Sequence, residues 1–194
     1  MFGQLTTAVQ FYLYGRRHFT ATGWQRAAAR YNPSDLDALD LDARTYLVTG
    51  ANSGIGLRLS KYLARRGATL FMVCRNPERA ARARDEVAAE AKDGSRVHTV
   101  ICDCGLDSDV RKAVKEVGTK ARSLDGVVCN AGALLNSRTL TPAGHEVTYA
   151  THLLHGSYLL TLEAMPLLRK VRPVDVTAPG RGRGGAPALR GATC

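Results

Sequence analysis

Between residues 45 and 170, short solid apolar runs take turns with stripes of helical spacing. Tyr46-Leu47-Val48 is a brief apolar run that ends in Thr49-Gly50, and Ile55, Leu59, Tyr62 and Leu63 then fall along one helical face. Residues 68–74 (Ala-Thr-Leu-Phe-Met-Val-Cys) are apolar throughout, the pattern of a strand buried on both faces. Asn76-Pro77 reads as an N-cap followed by proline at the first helical position, opening a helix to about Ala91. Val97 to Cys102 predicts a third strand, and Val110, Ala113, Val114 and Val117 mark the helix after it. Gly126-Val127-Val128-Cys129 predicts a fourth strand, and a long helical pattern runs from about Ala143 to Met165, near Pro166. Strands separated by helices in this way pair in parallel through right-handed crossovers. The expected fold is therefore α/β, a doubly wound parallel sheet. It is incomplete: strands one to four are present with their helices, without a well-formed fifth.

Two flanking stretches have a different texture. Residues 1–44 form an N-terminal extension in which Phe2, Leu5, Val9, Tyr12 and Leu13 share a helical face, followed by Arg16 and Arg17. No acidic residue precedes Asp35. Three readings stay open for this segment: peripheral membrane contact through residues 1–34, an Arg-rich targeting peptide, or an extra helix packed on the body. Asp35, Asp37, Asp40 and Asp42 then read as a solvated connector. At the other end, residues 171–194 hold five Gly, four Ala, four Arg and three Pro, and lose all periodicity after Thr177. This composition predicts a flexible tail, or the product of out-of-frame translation of a GC-rich gene. The expected division is thus 1–44, a partial dinucleotide-binding domain at 45–170, and 171–194.

The 194 residues are 45% apolar and 23% charged, which excludes a disordered chain. No apolar run reaches the ~18 residues of a membrane span. The net charge of +10 is spread as +1, +6 and +3 over the three segments rather than gathered into a stripe. No nucleic-acid partner is expected on that ground. None of the five cysteines (Cys74, Cys102, Cys104, Cys129, Cys194) forms a Cys-x-x-Cys pair, and no His cluster stands at zinc spacing. Cys74, Cys102 and Cys129 end apolar runs, so they are expected as small buried hydrophobes in a reducing intracellular compartment, cytoplasmic or organelle-associated.

The chemistry is concentrated in Thr49-Gly50-Ala51-Asn52-Ser53-Gly54-Ile55-Gly56, placed between a strand and a helix. Gly50 permits a sharp exit from the strand, Gly54 lets the backbone approach a pyrophosphate, and Gly56 allows close packing of helix on sheet. The helix start offers unpaired N–H groups and a partial positive charge to phosphates. In this strand–turn–helix setting the segment predicts a Rossmann-like dinucleotide site.

These residues also carry a family resemblance. Thr-Gly-x-x-x-Gly-Ile-Gly at 49–56 resembles the cofactor motif of the short-chain dehydrogenases/reductases. Asn130-Ala131-Gly132, after the fourth strand, resembles that family's second signature, and Asp103 sits where the family has an aspartate beside the adenine. Tyr14-Gly15, Phe19-Thr20 and Gly23 in the extension further resemble the branch called dehydrogenase/reductase family member twelve. The resemblance implies a nicotinamide dinucleotide bound by Gly50, Asn52, Ser53, Gly54, Ile55, Gly56, Asp103, Asn130, Ala131 and Gly132. The implied parent activity is carbonyl reduction or alcohol oxidation.

Cofactor choice follows from charge. An NAD site places a carboxylate after the second strand, whereas this chain reads Val73-Cys74-Arg75-Asn76. Arg75 can pair with a 2′-phosphate through bidentate hydrogen bonds, so NADP(H) is expected over NAD(H). The alternative for Arg75 is an exposed loop residue. Family catalysis needs a Ser and a Tyr-x-x-x-Lys pair, whose spacing puts both side chains on one helical face. Of the seven tyrosines here, none has Lys four residues on; the last is Tyr158. Arg172 to Ala178 is similar to the family's strand before its catalytic Ser, with Thr177 near that place. No role is assigned to His152 or His155, expected as packed or solvated helix residues. The reading is an NADP(H)-binding half, truncated before the catalytic pair; the alternative is a catalytically silent regulatory or interaction module using the edge at Gly126–Asn130, or a truncated product without a function of its own.

Overall fold

The computed structural model describes residues 2–32, 34–37 and 39–170. Three helices come first: α1 (Phe2–His18), α2 (Ala21–Ala28) and the single turn α3 (Ser34–Asp37). The body then alternates β1 (Thr45–Thr49), α4 (Gly54–Arg65), β2 (Thr69–Cys74), α5 (Pro77–Glu90), β3 (Val97–Ile101), α6 (Asp107–Lys120) and β4 (Gly126–Val128). A last helix is built of α7 (Val147–Tyr149), a π-helical stretch (Ala150–Leu159) and α8 (Leu160–Leu168). Among the described residues the strands form one parallel sheet in the order β3-β2-β1-β4. The Rossmann-like doubly wound arrangement predicted from the pattern is the one observed. The possible fifth strand at 172–178, the Arg-Gly tail and Cys194 lie outside the described residues.

Strand pleating explains why the central runs are apolar throughout. Alternate side chains point to opposite faces, and both faces are covered. Leu47, Phe71, Val73 and Val100 pack with Val110, Ala113 and Val117 of α6 and with Leu160 and Ala164 of α8. Val48, Leu70, Met72 and Val97 face the other way, onto Leu63 and Ala64 of α4 and Ala80, Ala83 and Val87 of α5. The sheet is also clasped at its lower edge. Asp125, just before β4, accepts from the Thr45 N–H (2.8 Å) and pairs with Arg44 (2.6 Å), fixing where β4 begins against β1.

Four sequence expectations shift. The last helix starts at Val147 rather than near Ala143, because Gly144 stands at φ +81° in a turn closed by the Thr141 N–H donating to His145 O (2.7 Å). Glu146 then caps the helix, accepting from the N–H groups of Thr148 (2.9 Å) and Tyr149 (2.7 Å). The helix also runs past Pro166 to Leu168. The carbonyl that proline deprives of its helical donor belongs to Leu162, an exposed residue that water can reach. Third, Cys129 is exposed instead of buried, since β4 ends at Val128, while Cys74 and Cys102 are buried as expected and Cys104 is buried as well. Fourth, Val9, Tyr12 and Leu13 of the N-terminal apolar face are exposed, which speaks only against the reading of that segment as a helix packed on the body.

Candidate cofactor site

The site grows from the turn between β1 and α4. Gly50 leaves the strand at φ +64° and its N–H donates to Val73 O (2.9 Å), holding the turn against the end of β2. Gly56 sits in the first turn of α4, where an added Cβ would lie 2.3 Å from Gly50 O and 2.6 Å from Asn130 Nδ2. Only glycine lets α4 approach its own turn so closely. Ser53 occupies the N-cap of α4 with extended backbone, yet its side chain makes no capping hydrogen bond. The helix start therefore keeps its N–H groups and positive dipole end for an external anion.

Asn130 and Thr49 lock this turn to the far side of the sheet. Thr49 is fully buried; its Oγ1 donates to Val128 O (3.3 Å) and accepts from the N–H groups of Asn130 and Ala131, both at 2.9 Å. The Asn130 side chain donates through Nδ2 to Thr49 O (3.0 Å) and Gly50 O (3.3 Å). The two sequence motifs thus form one hydrogen-bonded unit joining the ends of β1 and β4.

A cavity of about 270 Å³ opens at the carboxyl ends of the strands. Asn52 and Ser53 line it from the glycine turn, and Arg75, Asn76 and Arg79 from the β2–α5 junction. Cys102, Asp103 and Cys104 line it from the end of β3. Ala131, Gly132 and Ala133 close it beyond β4, with Thr151 of the π-helical stretch. This is the topological switch point, between β1 and β4, where open α/β sheets place their ligands. Of the residues expected from sequence, Asn52, Ser53, Arg75, Asp103, Ala131 and Gly132 line the cavity. Gly50, Gly54, Gly56 and Asn130 shape the turn behind it, and Ile55 is 80% exposed to solvent.

The polar groups at the mouth are of mixed sign. Arg75 extends into solvent with Nη1 4.0 Å from Asp103 Oδ2, while Asp103 Oδ1 accepts from the Gly105 N–H (2.9 Å). Asn76 Oδ1 caps α5 by accepting from the Arg79 N–H (2.8 Å), which fixes the first turn of α5 beside the cavity. Below them Cys102 and Cys104 are both buried, and their interaction, together with burial, holds the Cys102 thiol well above its ordinary range. His152 lies under Gly132, where a Cβ would meet its ring at 2.6 Å, and its Nε2 is 2.9 Å from the Ala133 nitrogen. His155 is buried with Nδ1 2.9 Å from Gly105 O. Both histidines brace loops of the site.

Sequence reasoning missed Asn76, Arg79, Ala133, Thr151 and the two cysteines as lining residues. Arg79 was legible in principle, since the residue three after an N-cap must sit at the helix mouth. Thr151 was not, because a π-helical turn shifts the phase on which helical periodicity depends.

Comparison with known proteins completes the assignment. The short chain dehydrogenase family model matches residues 44–172. The chain belongs to the short chain dehydrogenase family. It is similar to bovine (Bos taurus) dehydrogenase/reductase SDR family member 12, 35% identical over 156 residues that make up 80% of this chain and 48% of the relative. The chain spans about half the length of the curated relatives it matches. Among solved structures, the Pseudomonas aeruginosa RhlG/NADP active-site complex superposes with TM-score 0.57 at 27% identity, covering 67% of this chain and 50% of that one. L-Sorbose reductase from Gluconobacter frateurii, complexed with NADPH and L-sorbose, gives TM-score 0.57 at 25% identity, with coverage of 67% and 49%. This short chain dehydrogenase fold thus places its glycine turn, Asp103 and Asn130-Ala131-Gly132 around one crevice.

Proposed function

We propose that this chain binds NADP(H) at the crevice between β1 and β4 and is the cofactor-binding portion of a short-chain oxidoreductase acting on a carbonyl or alcohol. The observation that carries the reading is the α4 N-terminus, left uncapped by the Ser53 side chain and opened by Gly50 and Gly56, with Arg75 and Arg79 on the same cavity. The residues present fit a dinucleotide. The N–H groups of the α4 start hold the pyrophosphate, and Asn52 and Ser53 line its path. Asp103 would hold the adenine end, and Ala131-Gly132, on the opposite wall of the cavity, would border the nicotinamide end. Arg75 pairs with the 2′-phosphate, and Arg79, at the same mouth, supplies a second positive charge. The solved neighbours named above hold NADP or NADPH, which supports the same choice.

When bound, the dinucleotide supplies or accepts a hydride. The 194 residues contain no Tyr-x-x-x-Lys pair to move the accompanying proton. We therefore assign this chain binding without turnover. Steady oxidation of NADPH by the purified chain with any member of a carbonyl panel, at enzyme-like rates, would overturn that part.

Titration of NADPH and NADH by fluorescence tests the cofactor. NADPH should bind more tightly, and Arg75→Ala should weaken NADPH by about 10- to 100-fold, the worth of a charge-assisted hydrogen bond, while leaving NADH nearly unchanged. Equal affinity for both in the unaltered chain sinks the NADP(H) assignment. Binding of neither leaves the silent interaction module as the better reading.

A further inference from the structure

We propose that the α1–α2 hairpin is a docking surface for an anionic lipid bilayer, lying in the plane of its headgroups. The inference rests on residues 6–31, outside the cofactor crevice, and is independent of the function proposed above. These residues expose an unusual amount of apolar surface. Phe11 is 75% exposed, Phe19 77% and Trp24 64%, and Tyr12, Leu13 and Tyr14 are each more than half exposed. So many exposed large apolar and aromatic side chains within one short segment mark an interaction site.

The hairpin has a fixed shape. Gly23 of α2 is buried against the end of α1, where an added Cβ would lie 2.4 Å from His18 O. Thr20 Oγ1 donates to Arg16 O (2.7 Å) and the Phe19 N–H to Gly15 O (2.8 Å), so the corner between the helices is stitched locally. The exposed aromatic groups are therefore presented by a set of close backbone contacts.

Charge decides the occupant. Arg16, Arg17, Arg26 and Arg30 share this segment with the exposed aromatics, and no Asp or Glu precedes residue 35. Tyr, Trp and Phe beside Arg suit the boundary between headgroups and acyl chains, where each ring has an apolar body to bury. A nucleic acid would use the arginines but leave Leu13 and Val9 facing water. No described helix is long and apolar enough to cross a membrane, so the hairpin lies on the surface instead.

Trp24 is the only tryptophan in the chain, which makes the test direct. The full chain is mixed with vesicles of phosphatidylcholine alone or with phosphatidylserine added, and tryptophan emission and co-sedimentation are read together. The expected result is a blue shift and protection of Trp24 from an aqueous quencher with the anionic vesicles only, reversed by high salt. Arg16→Gln with Arg17→Gln should lower the partition coefficient about thirtyfold, from roughly 1 kcal/mol for each basic residue near an anionic surface. Phe11→Ser with Leu13→Ser should abolish the protection, and the thermal melting midpoint of each variant reports that the body is intact. No association with anionic vesicles overturns the proposal, as does equal binding to neutral ones. Sedimentation with Trp24 still open to quencher places the contact elsewhere and also overturns it. A larger Trp24 shift with duplex DNA or RNA than with vesicles assigns the hairpin to nucleic acid and does the same.

Discussion

Thr49 shows how much a single hydroxyl can carry. Its oxygen is the acceptor for two backbone N–H groups, those of Asn130 and Ala131, at the point where two distant loops meet. Thr49→Val keeps the shape but leaves both donors unsatisfied in a part-buried setting, at about 1–3 kcal/mol for each donor. Urea melts should show a loss of about 2 kcal/mol or more, and Thr49→Ser, which keeps the oxygen, should recover most of it. An unaltered midpoint in Thr49→Val would show that those N–H groups find other partners. Asn130 illustrates a different point. Sequence pattern marks it as a cofactor residue, whereas its amide is occupied in tying Thr49 O and Gly50 O together. It holds the glycine turn that borders the crevice.

At the scale of single elements, α5 is fixed by its first turn. Asn76 caps it, Pro77 supplies the preset first φ, and Ala80, Ala83 and Val87 bury one face against β2. Asn76→Ala should lower stability by about 1 kcal/mol, read by thermal denaturation, and should weaken NADPH binding by letting Arg79 drift from the cavity mouth. A variant that melts lower but binds NADPH unchanged would remove Arg79 from the site. The elements of the body were legible in the sequence because each has one dominant signal: short apolar runs for β1 and β2, the mostly β-branched run Val97 to Ile101 for β3, Asn76-Pro77 for α5, the Val110–Val117 stripe for α6. The last helix was less so. Its buried positions Ala150, Thr151, His155, Gly156 and Leu159 follow a π-helical winding, and an expected period of 3.6 residues cannot anticipate that. The glycine turn was visible through its spacing, but the cysteines and Thr151 on the cavity wall reach it only through strand register and helix phase, which no local pattern records.

For the whole molecule, the buried thiol at the end of β2 links stability to alkaline pH. Burial pushes the Cys74 pKa from 9.0 up to about 11. The unfolded thiol ionises first, so the native state is fully favoured below pH 9 and loses stability as pH rises from 9 toward 11. The loss reaches at most about 3 kcal/mol. Tyr46, whose hydroxyl is likewise raised by burial, adds to it in the same direction. Cys74→Ala should flatten the fall in denaturation midpoint across that window; an unchanged slope would mean that other groups set the alkaline limit.

The strand order also has a meaning in time. β1 pairs with β2 after one crossover, but its other edge waits for β4, and the Thr49–Asn130 lock joins residues 81 apart in the chain. Closing that long loop costs entropy before any contact repays it, so docking of β4 belongs late in folding. The dinucleotide crevice has one wall on each side of this seam. It does not exist until β4 has paired with β1, which would make cofactor capture a signal that this pairing is in place.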